Sequence, residues 1–560
     1  MNKSSSKKST NEEELNEKIA NVLQHEQEEK AKQLAAKLGL PYIDITTIPV
    51  DSDALLILSQ EETEGSKIAI IQKNEDNLKI IAENPSLPTT QAMLKKLQDA
   101  GNKCKIFICS PRSLKKALDR HKSIAKEKES VSGQIIIEKD RLQSLQEKLK
   151  TIDDVKNALG SLPHDAATDF LENIVVGALQ TDTSDIHLES RDENALFRYR
   201  IDGILHDVVF LSLKVYALVI SRLKLMSGMV LNVRDRAQDG RFTIRLDDTE
   251  IEVRASIIPG PAGENVVMRI LNPKNINLSI KDLGFREDAY QFIKKEIVRP
   301  NGMIVTTGPT GSGKTTALYA FLKEVTDPEI KIITLEDPVE YHLIGVTQTQ
   351  VEADRGYTFA AGLRAILRQD PDVVLVGEIR DQETADIAIQ AALTGHIVFS
   401  TLHTNDAAGA IPRFIDMGSN ATSLSAALID IMAQRLLRRI CSACKEEYDP
   451  APEEVEKIKK VFDTLPKTVT APDISKPFKL ARGKGCPKCN NTGYKGRVGV
   501  YEIVPVDSEI EKLITKSPSH AEILEVLKQK GFVSMYDDGI IKVVDKMTTI
   551  EEVEDIVGTR

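Results

Sequence analysis

The chain has 560 residues, too many for one compact core, and at about 100 to 200 residues per domain it predicts three or four units. Its hydrophobic fraction of 41% and charged fraction of 28% are those of an ordinary globular protein, which excludes a fibrous or wholly disordered chain. A net charge of -10 argues against general affinity for nucleic acid, whose phosphate backbone rewards a basic face.

Residues 1–11 carry Lys3, Lys7 and Lys8 among serines with no apolar run behind them, so they read as a flexible tail and not a secretory signal. From 12 to 112, helical and strand-like patterns alternate, as in 67–72 with Ile68, Ala69, Ile70 and Ile71, which predicts a small α/β domain. Across 113–162 charge dominates, and Leu142, Leu145, Leu149, Ile152 and Leu159 recur at coiled-coil-like spacing with Lys156 interrupting it. This predicts an exposed, mobile helical linker.

A second domain, 163–272, opens with Ala167, Leu171, Ile174, Val175 and Ala178 on one helix face. Strand patterns follow at 186–189, 196–201, 204–210, 241–246 and 251–257, with a helix at 215–226 and a breaker at Pro259, Gly260 and Pro261. Residues 273–282 read as a hinge. From 283 to 560, buried strand patterns at 302–307, 330–335, 373–376 and 397–401 alternate with helices, predicting a parallel sheet covered on both faces. Ligands in such folds sit beyond the C-terminal strand ends.

Chemistry concentrates there. Gly308, Pro309, Thr310, Gly311, Ser312, Gly313, Lys314, Thr315 and Thr316 match G-x-x-x-x-G-K-[ST] between an apolar strand and a helix. Glycines let successive N–H groups turn toward phosphate oxygens, Lys314 reaches the β- and γ-phosphates, and the Thr315 hydroxyl is a Mg²⁺ ligand. The expected ligand is therefore ATP with Mg²⁺. A plain glycine turn is the alternative.

Four of the six cysteines form two C-x-x-C pairs, Cys441 with Cys444 and Cys486 with Cys489, the arrangement that tetrahedral Zn²⁺ needs. Residues 441–499 thus predict a zinc-binding insertion, with a helix at 451–462 explaining the long spacing. Cys104 and Cys109 lie in a strand pattern and read as core residues. Cysteine usage of this kind fits a reducing compartment.

Three further blocks make a specific resemblance. They are Thr334-Leu335-Glu336-Asp337-Pro338-Val339-Glu340, then Arg368 through Gly377-Glu378 to Asp381, then Thr394-Gly395-His396 through His403 to Asp406. With the phosphate loop they resemble, in order and spacing across 160–560, the secretion ATPase superfamily, in particular its PilB and GspE branch. The four-cysteine element favours that branch over the retraction ATPases. The resemblance implies a RecA-like P-loop core preceded by a PAS-like α/β domain and a small GspE/MshEN-like N-terminal domain. Residues 35–44 are similar to that N-terminal module, but the paired motif of its nucleotide-binding version is missing, so partner docking is expected of it.

The resemblance also implies roles. Glu340 is the favoured carboxylate for orienting and deprotonating water, with Glu336 next. Glu378 acts on the metal through water, and His403 senses the γ-phosphate. Arg222, Arg236, Arg241 and Arg254 fall in segments similar to the family's arginine patterns, with Arg222 and Arg241 preferred as fingers on the transferring phosphoryl group. Glu336 and Asp337 could instead cap a turn, His396 could be structural, and any one arginine could be solvated surface charge.

The expected whole is a homohexamer, cytoplasmic and peripheral at the inner face of the cytoplasmic membrane. It would drive an inner-membrane platform protein of the PilC/GspF type and, indirectly, a pilin or pseudopilin, without nucleic acid. Pilus assembly is the first reading and type II secretion the alternative. A retraction motor, a nucleic-acid translocase and a non-hydrolysing regulatory subunit are disfavoured.

Overall fold

Residues rich in Ile and Val at every position build strands that must be buried on both faces, and the C-terminal half of the chain is organised by such runs. A computed structural model describes residues 26–45, 51–55, 57–74, 77–118, 133–163, 166–246, 249–272 and 278–559. The expected tail 1–11, residues 119–132 of the expected linker and residues 273–277 of the expected hinge lie outside the described residues. The chain divides into two units, Met1–Gln134 and Ile135–Arg560.

In the first unit, β1 (Ile68–Asn74), β2 (Asn77–Ala82) and β3 (Lys103–Ile108) form a sheet in that order, antiparallel then parallel. The helix Pro88–Asp99 makes the crossover between β2 and β3, with proline at its first turn where no N–H is needed. Ile68, Ile70, Leu78 and Ile80 are buried with Leu94 and Leu97 of that helix. Cys109 is buried and Cys104 half-buried, as expected of core residues.

The second unit begins within β4 (Gln134–Ile137) and continues with the helices Lys139–Lys148 and Ile152–Gly160. Here the reading of an exposed linker is corrected for residues 135–160. Leu142, Leu145, Leu149, Val155 and Leu159 are buried in one cluster with Phe170, Ile174 and Val175 of the helix Ala167–Gln180. The approach is close: a Cβ on Gly177 would lie 2.5 Å from Val155 Cγ2, so a glycine is needed where the two helices meet. The leucine spacing that suggested a coiled coil is the buried stripe of short helices that belong to the second domain.

That domain is built on β5 (Thr183–Ser190), β6 (Ala195–Ile201), β7 (Ile204–Leu211), β8 (Gln238–Leu246), β9 (Thr249–Gly260) and β10 (Gly263–Leu271). With β4 they form one sheet in the order β4-β8-β9-β10-β5-β6-β7. The expected breaker at Pro259 to Pro261 is a hairpin turn, since Gly260 pairs with Gly263 and β10 returns antiparallel along β9. The helix Leu213–Met226, capped by the Ser212 hydroxyl, packs its Val215, Val219 and Leu223 against the sheet.

The third domain holds β11 (Gly302–Thr307), β12 (Ile332–Glu336), β13 (Thr347–Gln350), β14 (Val373–Val376), β15 (Ile397–Leu402), β16 (Leu428–Ile440), a separate antiparallel pair of β17 (Lys445–Tyr448) with β18 (Leu480–Gly483), and β19 (Tyr494–Pro505). The large sheet runs β13-β12-β14-β15-β11-β16-β19, parallel throughout except for the β16–β19 pair. Every residue of β11, β12, β14 and β15 is buried. One face packs against Leu363, Ile389 and Phe414, the other against Leu318, Phe321 and Ile293. Ile280 and Leu283 of the turn Ile280–Leu283 are buried in the second of these faces, so the C-terminal end of the expected hinge belongs to this core.

Candidate active site

Strand β11 ends at Thr307 and the helix Lys314–Val325 begins after six intervening residues, so the loop between them turns on glycine. Gly308, Gly311 and Gly313 have φ of 145°, 80° and 90°, which L side chains rarely adopt. A Cβ on Gly308 would also come within 2.7 Å of the Gln434 carbonyl oxygen and of Ser312 Oγ, so both conformation and space demand glycine there. Lys314 Nζ donates to the Gly308 carbonyl at 2.7 Å and the Pro309 carbonyl at 3.1 Å. Burial pushes the Lys314 ammonium down to about 8; Glu378 opposes that shift and Arg435 adds to it. Thr315 is exposed and Thr316 half-buried at the start of the helix.

The sheet order gathers the predicted carboxylates at this end. Strands β11, β15, β14 and β12 run parallel, so Thr307, His403, Glu378 and Glu336 all stand at C-terminal strand ends. Thr307 Oγ1 accepts from the Thr404 amide at 2.8 Å and meets Thr404 Oγ1 at 2.7 Å, tying the loop after β15 to the root of the phosphate loop. His403 Nε2 lies 3.2 Å from Glu378 Oε2, and Arg380 pairs with the other oxygen of that carboxylate.

His396 precedes β15 and so stands at the opposite edge of the sheet. Its Nδ1 lies 3.0 Å from the Ala391 carbonyl at the end of the helix Gln382–Leu393, which is the structural reading of that histidine.

Glu336 and Glu340 have different surroundings. Glu336 is buried and accepts from Thr334 Oγ1 at 2.6 Å, Gln348 Nε2 at 3.1 Å and the Tyr319 hydroxyl, which fastens the phosphate-loop helix to β12. Burial and the Glu336 charge push the Tyr319 hydroxyl up, keeping it a donor. Glu340 is partly exposed and accepts from Arg254 Nη1 at 2.9 Å, while Arg254 Nη2 donates to the Val339 carbonyl.

Arg254 comes from the second domain. Register places Arg241, Arg254 and Arg269 directly opposite one another on β8, β9 and β10, so the three share one face of that sheet. Arg269 Nε donates to Asp185 Oδ1 at 3.0 Å. Of the two arginines favoured from sequence, Arg241 is exposed one strand from Arg254, and Arg222 is half-buried on the helix Leu213–Met226. The arginine that meets a candidate catalytic carboxylate is Arg254. Sequence reading named Arg254 without preferring it, and it missed Arg435 on β16, whose Nη2 donates to the Asn405 carbonyl at 2.7 Å.

The four cysteines close around one point. Their sulfurs all lie within 4.8 Å of one another, with 3.9 Å between Cys441 and Cys486, 3.8 Å between Cys444 and Cys489, and 3.7 Å between Cys486 and Cys489. A tetrahedron of thiolates at about 2.3 Å from zinc has edges of about 3.8 Å, so the donor set fits that ion in kind and spacing. The expected inserted helix is present as Pro452–Phe462. This element also touches the second domain: Ile152 N donates to Asn490 Oδ1 at 3.1 Å, and Gly496 N to Asp202 Oδ2 at 2.8 Å.

A glycine loop on a parallel sheet, a buried lysine folded into it and carboxylates on the neighbouring strand ends define a P-loop nucleotide hydrolase. The sequence matches the family described as "Type II/IV secretion system protein" over residues 163–555, and the chain belongs to that family. An MshEN domain matches residues 38–128. The chain is 43% identical over 390 residues to the type II secretion system protein E of Pseudomonas aeruginosa, covering 70% of this chain and 75% of that protein. It is 35% identical over 521 residues to the type IV pilus assembly ATPase PilB of Myxococcus xanthus, covering 93% of this chain and 89% of that one. The ATPase DotB of Yersinia pseudotuberculosis shares the fold, with a TM-score of 0.51 at 18% identity over 70% of this chain and 93% of that structure. The core is RecA-like and the protein is an ATPase. Among the described residues no helix is long and apolar enough to cross a membrane.

Proposed function

We propose that this chain is the subunit of a hexameric motor that hydrolyses ATP to power type IV pilus assembly through an inner-membrane platform protein. The observation that carries this reading is the alignment with a pilus assembly ATPase over 93% of the chain, which takes in the N-terminal unit as well as the catalytic core. A type II secretion motor is the second reading, favoured by the higher identity, 43%, over the core.

In the proposed reaction the loop 308–316 and Lys314 hold the triphosphate while Glu340 orients a water. Oxygen of that water attacks the γ-phosphorus, the bond to the bridging oxygen of ADP breaks, and the proton passes to Glu340. Magnesium, when bound, supplies charge neutralisation of the phosphates, with the Thr315 hydroxyl as its protein ligand. Glu378 and His403, already joined, stand where they respond to the γ-phosphate, and Glu336 serves by holding Tyr319 and the helix behind the loop. Arg241 and Arg222 are the second domain's candidates for stabilising charge on the transferring group, and Arg254 positions Glu340. Cys441, Cys444, Cys486 and Cys489 would hold a zinc ion, which would tie the end of β16 to the start of β19.

The test is a deletion strain of the source organism complemented with wild type or Lys314→Ala. Loss of surface pili, restored only by wild type, supports the first reading. Normal piliation with loss of exoprotein secretion supports the second. Purified wild-type protein that neither binds nor splits ATP overturns both.

A further inference from the structure

We propose that Arg435, on β16, is a phosphate-binding residue of the nucleotide site, contacting the phosphates held by the loop and not the γ-phosphate end where Glu340 and His403 stand. This rests on the ATPase reading above and adds a second cationic wall to it.

Placement follows from the sheet. Strand β16 lies beside β11 in parallel, with Ala433 opposite Thr307, so Gln434 and Arg435 come next to the loop that follows Thr307. The approach is tight on both sides of the loop. A Cβ on Gly308 would lie 2.7 Å from the Gln434 carbonyl oxygen and 3.1 Å from Arg435 Nη1, and a Cβ on Gly313 would lie 2.8 Å from Gln434 Nε2. The glycines of this loop are therefore needed to admit β16 as well as to turn the chain.

Charge gives the reason for a ligand. Among the described residues no carboxylate reaches ion-pair distance of Arg435. Its contacts are carbonyl oxygens, Gln434 at 3.1 Å and Asn405 at 2.7 Å, which leave most of a five-donor guanidinium unused. Arg435 is close enough to Lys314 to disfavour its charge, and burial lowers both groups. Glu378 on Lys314, and Glu502 and Asp406 on Arg435, offset burial only in part, so two desolvated cations beside one loop are further relieved by a polyanion. A planar guanidinium suits phosphate oxygens in particular.

A second observation points the same way. Ser312 is 4% exposed and Gln434 1% exposed, yet neither Ser312 Oγ nor Gln434 Oε1 has a hydrogen-bond partner. Buried polar atoms are nearly always satisfied, so a corner with two orphans beside a glycine loop is set up for a polar guest. Ser312 can donate to a phosphate oxygen, while Gln434 can accept from a hydroxyl of the same nucleotide.

The experiment measures ADP affinity by fluorescent-nucleotide displacement, together with steady-state ATP hydrolysis, for wild type, Arg435→Ala, Arg435→Gln and Arg435→Lys. A phosphate-binding Arg435 predicts that Arg435→Ala weakens ADP at least tenfold and raises KM for ATP by a similar factor, more than kcat falls. Arg435→Lys should recover at least fivefold of that loss relative to Arg435→Gln. A role limited to holding Asn405, and through that loop His403, would lower kcat and leave ADP affinity within twofold of wild type; that result overturns the proposal. Should the alanine variant fail to fold, the Lys and Gln pair decides, and equal ADP affinities overturn it. Wild-type protein without nucleotide affinity would instead remove the ATPase reading, an outcome distinct from either.

Discussion

Arg254 and Glu340 form an ion pair of 2.9 Å between the second domain's sheet and the loop after β12, so the candidate base is held by a residue from another domain. Both side chains are about one quarter exposed, at 24% and 26%, which leaves water access to the carboxylate. A turn of the second domain therefore changes the charge next to Glu340 directly.

Glu340→Gln should lower kcat by about 10²-fold or more, the usual scale for a lost general base, with ADP affinity unchanged. Arg254→Ala should lower kcat less, by about tenfold. Because Arg254 acts through Glu340, the double variant should turn over no more slowly than Glu340→Gln alone. Fully additive losses in steady-state rates would show that Arg254 touches the phosphates independently.

Lys314→Ala should abolish turnover and remove the rise in melting temperature that ADP gives the wild type, while leaving circular dichroism unchanged. A pH effect accompanies this. Burial lowers the Lys314 amine from its ordinary value to about 8, so the free folded protein loses a proton that the unfolded chain keeps up to about 10.5. Between those limits the group makes the nucleotide-free protein more stable as pH rises, because the unfolded state binds more protons. Nucleotide needs the charged amine, so ADP affinity should fall as pH rises through 8. Titrations from pH 7 to 10 that show constant affinity in wild type would contradict the buried-lysine site.

The parts of the site that were legible beforehand are those carried by contiguous residues. The run Gly308 to Thr316 and the two cysteine pairs encode their geometry locally, in glycine φ angles and in two-residue spacings. The chain from Thr334 to Glu340 was legible as a group but not in its division of labour. Only the fold shows that Glu336 is saturated by Tyr319, Thr334 and Gln348 while Glu340 faces Arg254. Arg435 was out of reach because its nearness to Gly308 depends on β16 lying beside β11, a long-range pairing that no local period records. The leucines of 142–159 misled for the opposite reason. Their spacing is the same for an exposed coiled coil and for short helices packed on a domain, and only the partner, here Phe170, Ile174 and Gly177, distinguishes the two.

The thiolate cluster predicts one zinc per chain by elemental analysis, and Cys486→Ser should lose it. Because Asn490 of the second cysteine turn accepts from Ile152 N, metal loss should also loosen a contact with the second domain. Hydrogen exchange at Ile152 and at Gly496, which donates to Asp202, should quicken on chelation. Unchanged exchange at both amides in metal-free protein would separate the metal from the domain contact.

Glu502 offers a test of how the loop carrying His403 is held. Its Oε1 accepts from the Ala407 amide at 2.7 Å from a position on β19 that is 4% exposed. Burial is the main force raising its carboxyl to about 7; the Asp406 charge, itself paired with His520 at 2.9 Å, adds to it. The folded protein thus binds a proton that the unfolded chain has already released, so the neutral form contributes stability below about 4.5 that is lost as pH rises through 7. Glu502→Gln keeps an acceptor for Ala407 and removes the titration. Its melting temperature should exceed that of wild type at pH 8 and lose that advantage at pH 5. The same variant should narrow the pH dependence of kcat near 7, because the loop positions His403 beside Glu378. A difference in melting temperature that is constant from pH 5 to 8 would mean that Glu502 is ionised throughout, held by Ala407 and Arg435 more strongly than burial opposes it.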